Sequence, residues 1–87
     1  MITASQLRAA RALVGIDQIT LAQRSTLSLP TIQRMEASDG LIRGNVDSLV
    51  KVVNALEEMG VELIAEGNTS SVGGRGVRLR GPKVRTT

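Results

Sequence analysis

The 87-residue chain contains no cysteine and no histidine. Those two absences exclude disulfides, thiol nucleophiles and imidazole acid–base chemistry, and with them nearly all zinc and transition-metal sites. Phenylalanine, tyrosine and tryptophan are also missing. Readers of RNA and single-stranded DNA usually stack bases on aromatic rings, so those binding modes are not expected. No apolar run approaches the length needed to span a bilayer. The opening MITASQ has neither a basic region nor a long apolar segment, so it does not read as a signal peptide. A cytoplasmic protein without membrane association, metal or cofactor is expected. Ser, Thr, Lys and Asp occur, but no constellation of base and nucleophile is readable, so an enzyme is not expected.

What remains is enough for one small domain. Its core is marginal alone, and pairing with a second copy would support it. The net charge of +3 is modest, but its distribution is uneven. Residues 1–44 carry five Arg against three acids, residues 45–66 one Lys against five acids, and residues 67–87 five basic residues and no acid. A basic front and tail around an acidic middle suit a polyanion partner, with a separate face for another contact. The same pattern also suits a plain solvated surface with a soluble tail.

Helix signals cluster at the front of the chain. Thr3 and Gln6 form a capping box, with Ile2 and Leu7 at the positions of a hydrophobic staple. Leu7, Ala10 and Val14 follow at helical spacing, and Gly15 can end the helix. The same grammar recurs twice. Asp17 caps a second helix with Ile16 and Leu21 as staple, and Ser28 caps a third with Leu27 and Ile32. The spacing predicts helices over roughly 4–14, 18–25 and 29–37. A longer amphipathic helix follows. Asn45 caps it, Leu49, Val52, Val53, Leu56 and Met59 form its buried stripe, and Gly60 ends it. Then the period changes: VELIA and GVRLR read as short strands separated by a Gly- and Ser-rich stretch. They form a hairpin with a long loop, or one strand and a frayed end; VELIA can pair within its chain, with a second subunit, or with both.

Pro30 sits inside RSTLSLPTIQRME without breaking it. With Ser28 as N-cap, Pro30 is the second helical residue, where a backbone N–H has no internal partner anyway. Ile32 and Met35 then face the core, and Pro30, Gln33, Arg34 and Ala37 the opposite side, with Leu29 and Thr31 flanking. That outer face has no acid. It holds a Gln and an Arg, the side-chain types that read base edges in the major groove. Two short helices joined by TLS, the second with such a face, make a helix-turn-helix.

Over LRAARALVGIDQITLAQRSTLSLPTIQRMEAS the chain resembles the Cro/C1-type helix-turn-helix of phage repressors and small bacterial regulators. The apolar spacing, the Gln18 start, the small Ala22 and the Ile32/Met35/Glu36 ending carry the match. It extends from residue 3 to about 60. The resemblance implies a mostly α, lambda-repressor-like bundle of four to five short helices with a C-terminal strand or hairpin. The resemblance covers a DNA-binding domain at 1–60; residues 61–87 lie outside the common core and read, from their own pattern, as a strand or hairpin region at 61–80 that can serve dimerisation and a disordered basic tail at 81–87. The resemblance also implies a homodimer that binds double-stranded DNA at an inverted repeat, repressing transcription by occlusion. Activation through the acidic fourth helix stays open. Gln18 corresponds to the position whose amide and helix N-terminus contact a phosphate or support a base-reading residue. Ser28, Leu29, Pro30, Thr31, Gln33 and Arg34 fall on base- and backbone-contact positions, and Arg43 and Asn45 on the segment that clamps the backbone. Arg11 and Glu36 match a pair that forms an internal salt bridge.

Two departures stand out. The turn position usually holds Gly, because its backbone favours positive φ; here it is Thr26. The first position of the reading helix is often Gln; here it is Leu29. Leu and Pro side chains cannot hydrogen-bond a base edge but can touch a thymine methyl, leaving direct readout to Gln33, Arg34 and Thr31. The alternative from a different class is a protein-binding module, such as an antitoxin or anti-activator, that uses residues 61–87 to hold a protein partner.

Overall fold

A computed structural model describes residues 2–65 and 73–80. The chain folds as α1 (Ala4–Val14), α2 (Gln18–Ser25), α3 (Leu29–Glu36) and α4 (Val46–Glu58), then β1 (Val61–Ile64) and β2 (Gly76–Leu79). The protein is mostly α with a C-terminal hairpin. Residues 1, 66–72 and 81–87, the last of which hold the expected disordered basic segment, lie outside the described residues. No helix among the described residues is long and apolar enough to cross a membrane.

Each helix begins where its cap signal stands. The Gln6 N–H donates to Thr3 Oγ1 at 3.1 Å, and Thr3 N–H to Gln6 Oε1 at 2.9 Å, closing the capping box. Asp17 accepts from Thr20 N–H at 2.8 Å, Ser28 from Thr31 N–H at 3.3 Å, and Asn45 from Asp47 N–H at 2.8 Å. These contacts satisfy donors that the first helical turn leaves open. The staples close as well: Leu7, Leu21 and Ile32 are fully buried, with Ile2, Ile16 and Leu27 packed beside them. Burial of each large aliphatic chain stabilises by about 1.5–3 kcal/mol. α3 ends one residue earlier than its pattern suggests, with Ala37 as its C-cap.

The core gathers Leu7 and Ala10 from α1, Leu21 and Ala22 from α2, Ile32 and Met35 from α3, and Leu49, Val52 and Leu56 from α4. Ile2, Ile42 and Val61 join it from outside the helices. Thr26 holds φ 59° and ψ 34°, the left-handed conformation expected of a Gly. The turn therefore keeps its geometry and Thr26 carries the strain.

β1 pairs antiparallel with β2, Val61 opposite Leu79 and Leu63 opposite Val77. VELIA thus finds a partner in its own chain. Val61, Leu63 and Val77 lie on the helical core, so the hairpin belongs to the same packed unit as the helices. On the other face, Arg78 and Glu62 form an ion pair at 2.7 Å. Gln6 binds hairpin to helix: its amide donates to the Ile64 carbonyl at 2.9 Å and to the Gly76 carbonyl at 3.0 Å. One buried side chain serves as cap partner for α1 and as clamp on both strands.

Candidate nucleic-acid interface

The outward face of α3 is built by elimination. Ile32 and Met35 are buried, so the helical period turns Pro30, Gln33, Arg34 and Ala37 to solvent, and all four are exposed. Leu29 and Thr31 are half-buried at its margin. Among the described residues, the Gln33 and Arg34 side chains have no hydrogen-bond or ion-pair partner. Both are long, polar and uncommitted.

The first turn of α3 differs. The Ser28 and Thr31 hydroxyls share a hydrogen bond at 2.8 Å, and Ser28 Oγ also accepts the Thr31 N–H. Their polar atoms are held at the cap.

A crevice of about 100 Å³ opens between α3 and the start of α4. Thr31, Arg34 and Met35 line one side, and Arg43, Gly44, Asn45 and Ser48 the other. The loop that brings Arg43 there is tied to the start of the chain: Ala4 N–H donates to the Gly40 carbonyl at 3.0 Å, and Ile42 N–H to the Ile2 carbonyl at 3.1 Å. Gly44 adopts φ 140°, a conformation side chains rarely allow. The structure thus joins Arg34 on α3 with Arg43 and Asn45 from beyond the intervening loop at one opening. Ser48, one turn into α4, belongs with them. Its only signal in the sequence is its position three residues after the Asn45 cap.

Gln18 sits elsewhere. It is half-buried at the first position of α2, and its amide donates to Glu36 Oε1 at 3.0 Å. The amide implied to reach a phosphate or a base-reading side chain instead holds an internal carboxylate. Glu36 also receives Arg11, Nε to Oε2 at 2.8 Å and Nη2 to Oε1 at 3.1 Å. Burial pushes the Glu36 carboxyl up, but the hydrogen bonds from Arg11 and Gln18 and the Arg11 and Arg8 charges outweigh it, so its pKa lies below the ordinary value. Arg11 is raised in turn, chiefly by its hydrogen bond to Glu36. Arg8 closes the end of α3 by donating to the Glu36 backbone carbonyl, a contact that nothing in the residue pattern marks. α3 is therefore held by α1 and α2 through charge as well as packing.

The assembled face has two exposed guanidinium groups, an amide, a helix N-terminus and no metal-ligand set among the described residues. It is equipped to receive an anion-rich, hydrogen-bonding surface. No protein-family profile matches the chain, and no curated protein matches it.

Proposed function

We propose that this chain is a Cro/C1-type transcriptional regulator that binds double-stranded DNA with α3 in the major groove. The observation that carries this reading is the acid-free outer face of α3, where Gln33 and Arg34 stand exposed, and unpaired among the described residues, beside the Arg43–Asn45 opening. Arg34 reads a guanine edge through its two-pronged guanidinium, a contact worth about 1–3 kcal/mol of discrimination when bidentate. Gln33 reads a neighbouring base. Arg43 and the N-terminus of α4, where backbone N–H groups point outward, hold the phosphates flanking the groove. Ser28 and Thr31 sit at the margin of the same face, and the backbone of α2 at Gln18 approaches the opposite phosphates.

The regulator acts as a homodimer. Val46 and Val50, one helical turn apart on α4, are 65% and 46% exposed, which supports an apolar contact between two copies. Two-fold symmetry then calls for an inverted-repeat operator with half-site centres about 34 Å apart. Occlusion of a promoter is the simplest mode of action for such a small reader.

The test is a salt-dependent gel shift on the DNA upstream of the protein's own gene, comparing wild type with Arg34→Ala. Specific binding lost with Arg34→Ala, while salt-sensitive non-specific binding persists, supports direct readout. No shift by the wild type at low salt defeats the proposal. Leu79, 50% exposed on β2, is the feature that favours a protein-binding module instead. Capture of a defined protein partner by a form that never shifts DNA would establish that reading.

A further inference from the structure

The two turns of α3 present different chemistry to the same side. In its second turn Gln33 and Arg34 offer donors that no described residue engages. In its first turn the only polar side chains are Ser28, at the cap, and Thr31. Their hydroxyls bond each other at 2.8 Å, and Ser28 Oγ also takes the Thr31 N–H. That leaves the exposed Pro30 ring and the half-buried Leu29 chain as the principal surface of the turn. Neither can donate or accept a hydrogen bond through its side chain.

In the major groove one feature of a base pair is apolar: a methyl group at C5 of a pyrimidine. We propose that Leu29 and Pro30 form a methyl-reading edge that recognises the C5 methyl of a pyrimidine, supplied by thymine or by 5-methylcytosine. This rests on the DNA-binding reading above. Pro30 and Arg34 are four residues apart on one helical face, which separates them by about 6 Å along the axis. With base pairs stacked about 3.4 Å apart, the methylated pyrimidine lies about two base pairs from the guanine read by Arg34. Half of the recognition code is then a hydrogen-bonding pattern and half a methyl group. A site with cytosine at the methyl position becomes sensitive to cytosine methylation.

The experiment uses the full chain and a duplex selected by the wild type from a random pool. Each thymine is replaced in turn by deoxyuridine, which removes the C5 methyl and leaves every hydrogen-bonding atom in place. Affinity is expected to fall about fourfold at one position per half-site, the equivalent of one buried methyl group, and to hold elsewhere. At that position a cytosine and a 5-methylcytosine duplex are then compared. Tighter binding of the methylated form adds methylated DNA as a second source of the same group, and equal binding assigns the methyl to thymine alone. Leu29→Ala and the exposed Pro30→Ala are expected to bind thymine and deoxyuridine duplexes more nearly alike. The second variant keeps the test intact if the first fails to fold. Specific wild-type binding that no deoxyuridine weakens, or full thymine preference in both variants, overturns the methyl-reading edge while leaving DNA binding in place. Failure of the wild type to select any sequence overturns the DNA-binding reading and this inference with it.

Discussion

Arg11 on α1 and Glu36 at the end of α3 meet side by side, with Nε 2.8 Å from Oε2 and Nη2 3.1 Å from Oε1. The carboxylate is only 5% exposed. Arg11 also donates to the Ile16 carbonyl at 3.1 Å, which ties the pair to the entry of α2. A two-pronged contact fixes orientation as well as distance. The α3 face offered to solvent is thereby set from behind by a residue on another helix.

Acid is expected to loosen this arrangement. Glu36 titrates below its ordinary value of 4.5 in the folded protein, so its contribution is complete above that value and is lost as pH falls through the folded-state pKa. Asp17 shifts the same way from 3.8, chiefly through the Thr20 N–H it accepts. With no histidine in the chain, no side chain has an ordinary pKa between 5 and 8. The melting temperature should therefore be flat from pH 8 to about pH 5 and fall below about pH 4.5. Glu36→Gln should lower the plateau and flatten the acid limb. An acid limb unchanged in that variant would show that Glu36 is not its source. Glu36→Ala, which leaves Arg11 with the Ile16 carbonyl and solvent as partners, should cost about 1.5–3 kcal/mol in urea denaturation, the worth of a hydrogen bond between charged groups.

Thr26→Gly should stabilise the protein. A β-branched residue in the left-handed region bears about 1–2 kcal/mol of strain that Gly avoids. Gly gives part of this back through its larger unfolded-state entropy, about 0.5–1 kcal/mol. The Thr26 hydroxyl, which donates to the Ser25 carbonyl at 2.6 Å, is lost as well. A net gain of about 0.5 kcal/mol is expected, a rise of about 2–4 °C in melting temperature for a domain of this size. A fall would mean that the hydroxyl contact outweighs the strain.

Much of the fold is legible in the residue pattern because the signals are local. Thr3, Asp17, Ser28 and Asn45 each name a helix start, and each staple lies within five residues of its cap, so short-range chemistry suffices. The strand pairing is less legible, since VELIA and GVRLR fix strand type but not the chain that supplies the partner. The outer face of α3 follows from Ile32 and Met35 by periodicity. The crevice it shares with Arg43 and Asn45 depends on how the 37–45 loop is anchored at Ile2 and Ala4, through backbone bonds that carry no sequence signature. The same limit hides the clamp of Gln6 on Ile64 and Gly76. Gln18 shows the converse: a residue marked by resemblance for the outside spends its amide on Glu36.

Gln6→Ala should release the hairpin. The substitution removes the donor shared by the Ile64 and Gly76 carbonyls and the acceptor for Thr3 N–H. Two hydrogen bonds to the strand carbonyls are lost, each worth about 0.5–1.5 kcal/mol. A loss of about 2 kcal/mol is expected, with faster amide exchange in 61–64 and 76–79 than in α2 and α3. Uniform acceleration across all elements would instead indicate that hairpin and helices open together.

Val50→Glu tests the association of two copies without disturbing the core. Val50 is 46% exposed, and its neighbours one turn away on the same flank of α4 are Val46, exposed, and Asn54. A charge there should cost the monomer little, within about 0.5 kcal/mol, as at most surface positions. In a dimer that buries the Val46–Val50 strip, two carboxylates would meet across the two-fold axis without partners, a penalty of several kcal/mol. Sedimentation equilibrium should show a dimer for the wild type and a monomer for the variant, with matching circular dichroism spectra. The variant should bind an isolated half-site as the wild type monomer does, and lose affinity for the full inverted repeat by at least tenfold. A dimer that survives Val50→Glu would place the contact elsewhere, with Leu79 at the edge of the hairpin as the next position to charge.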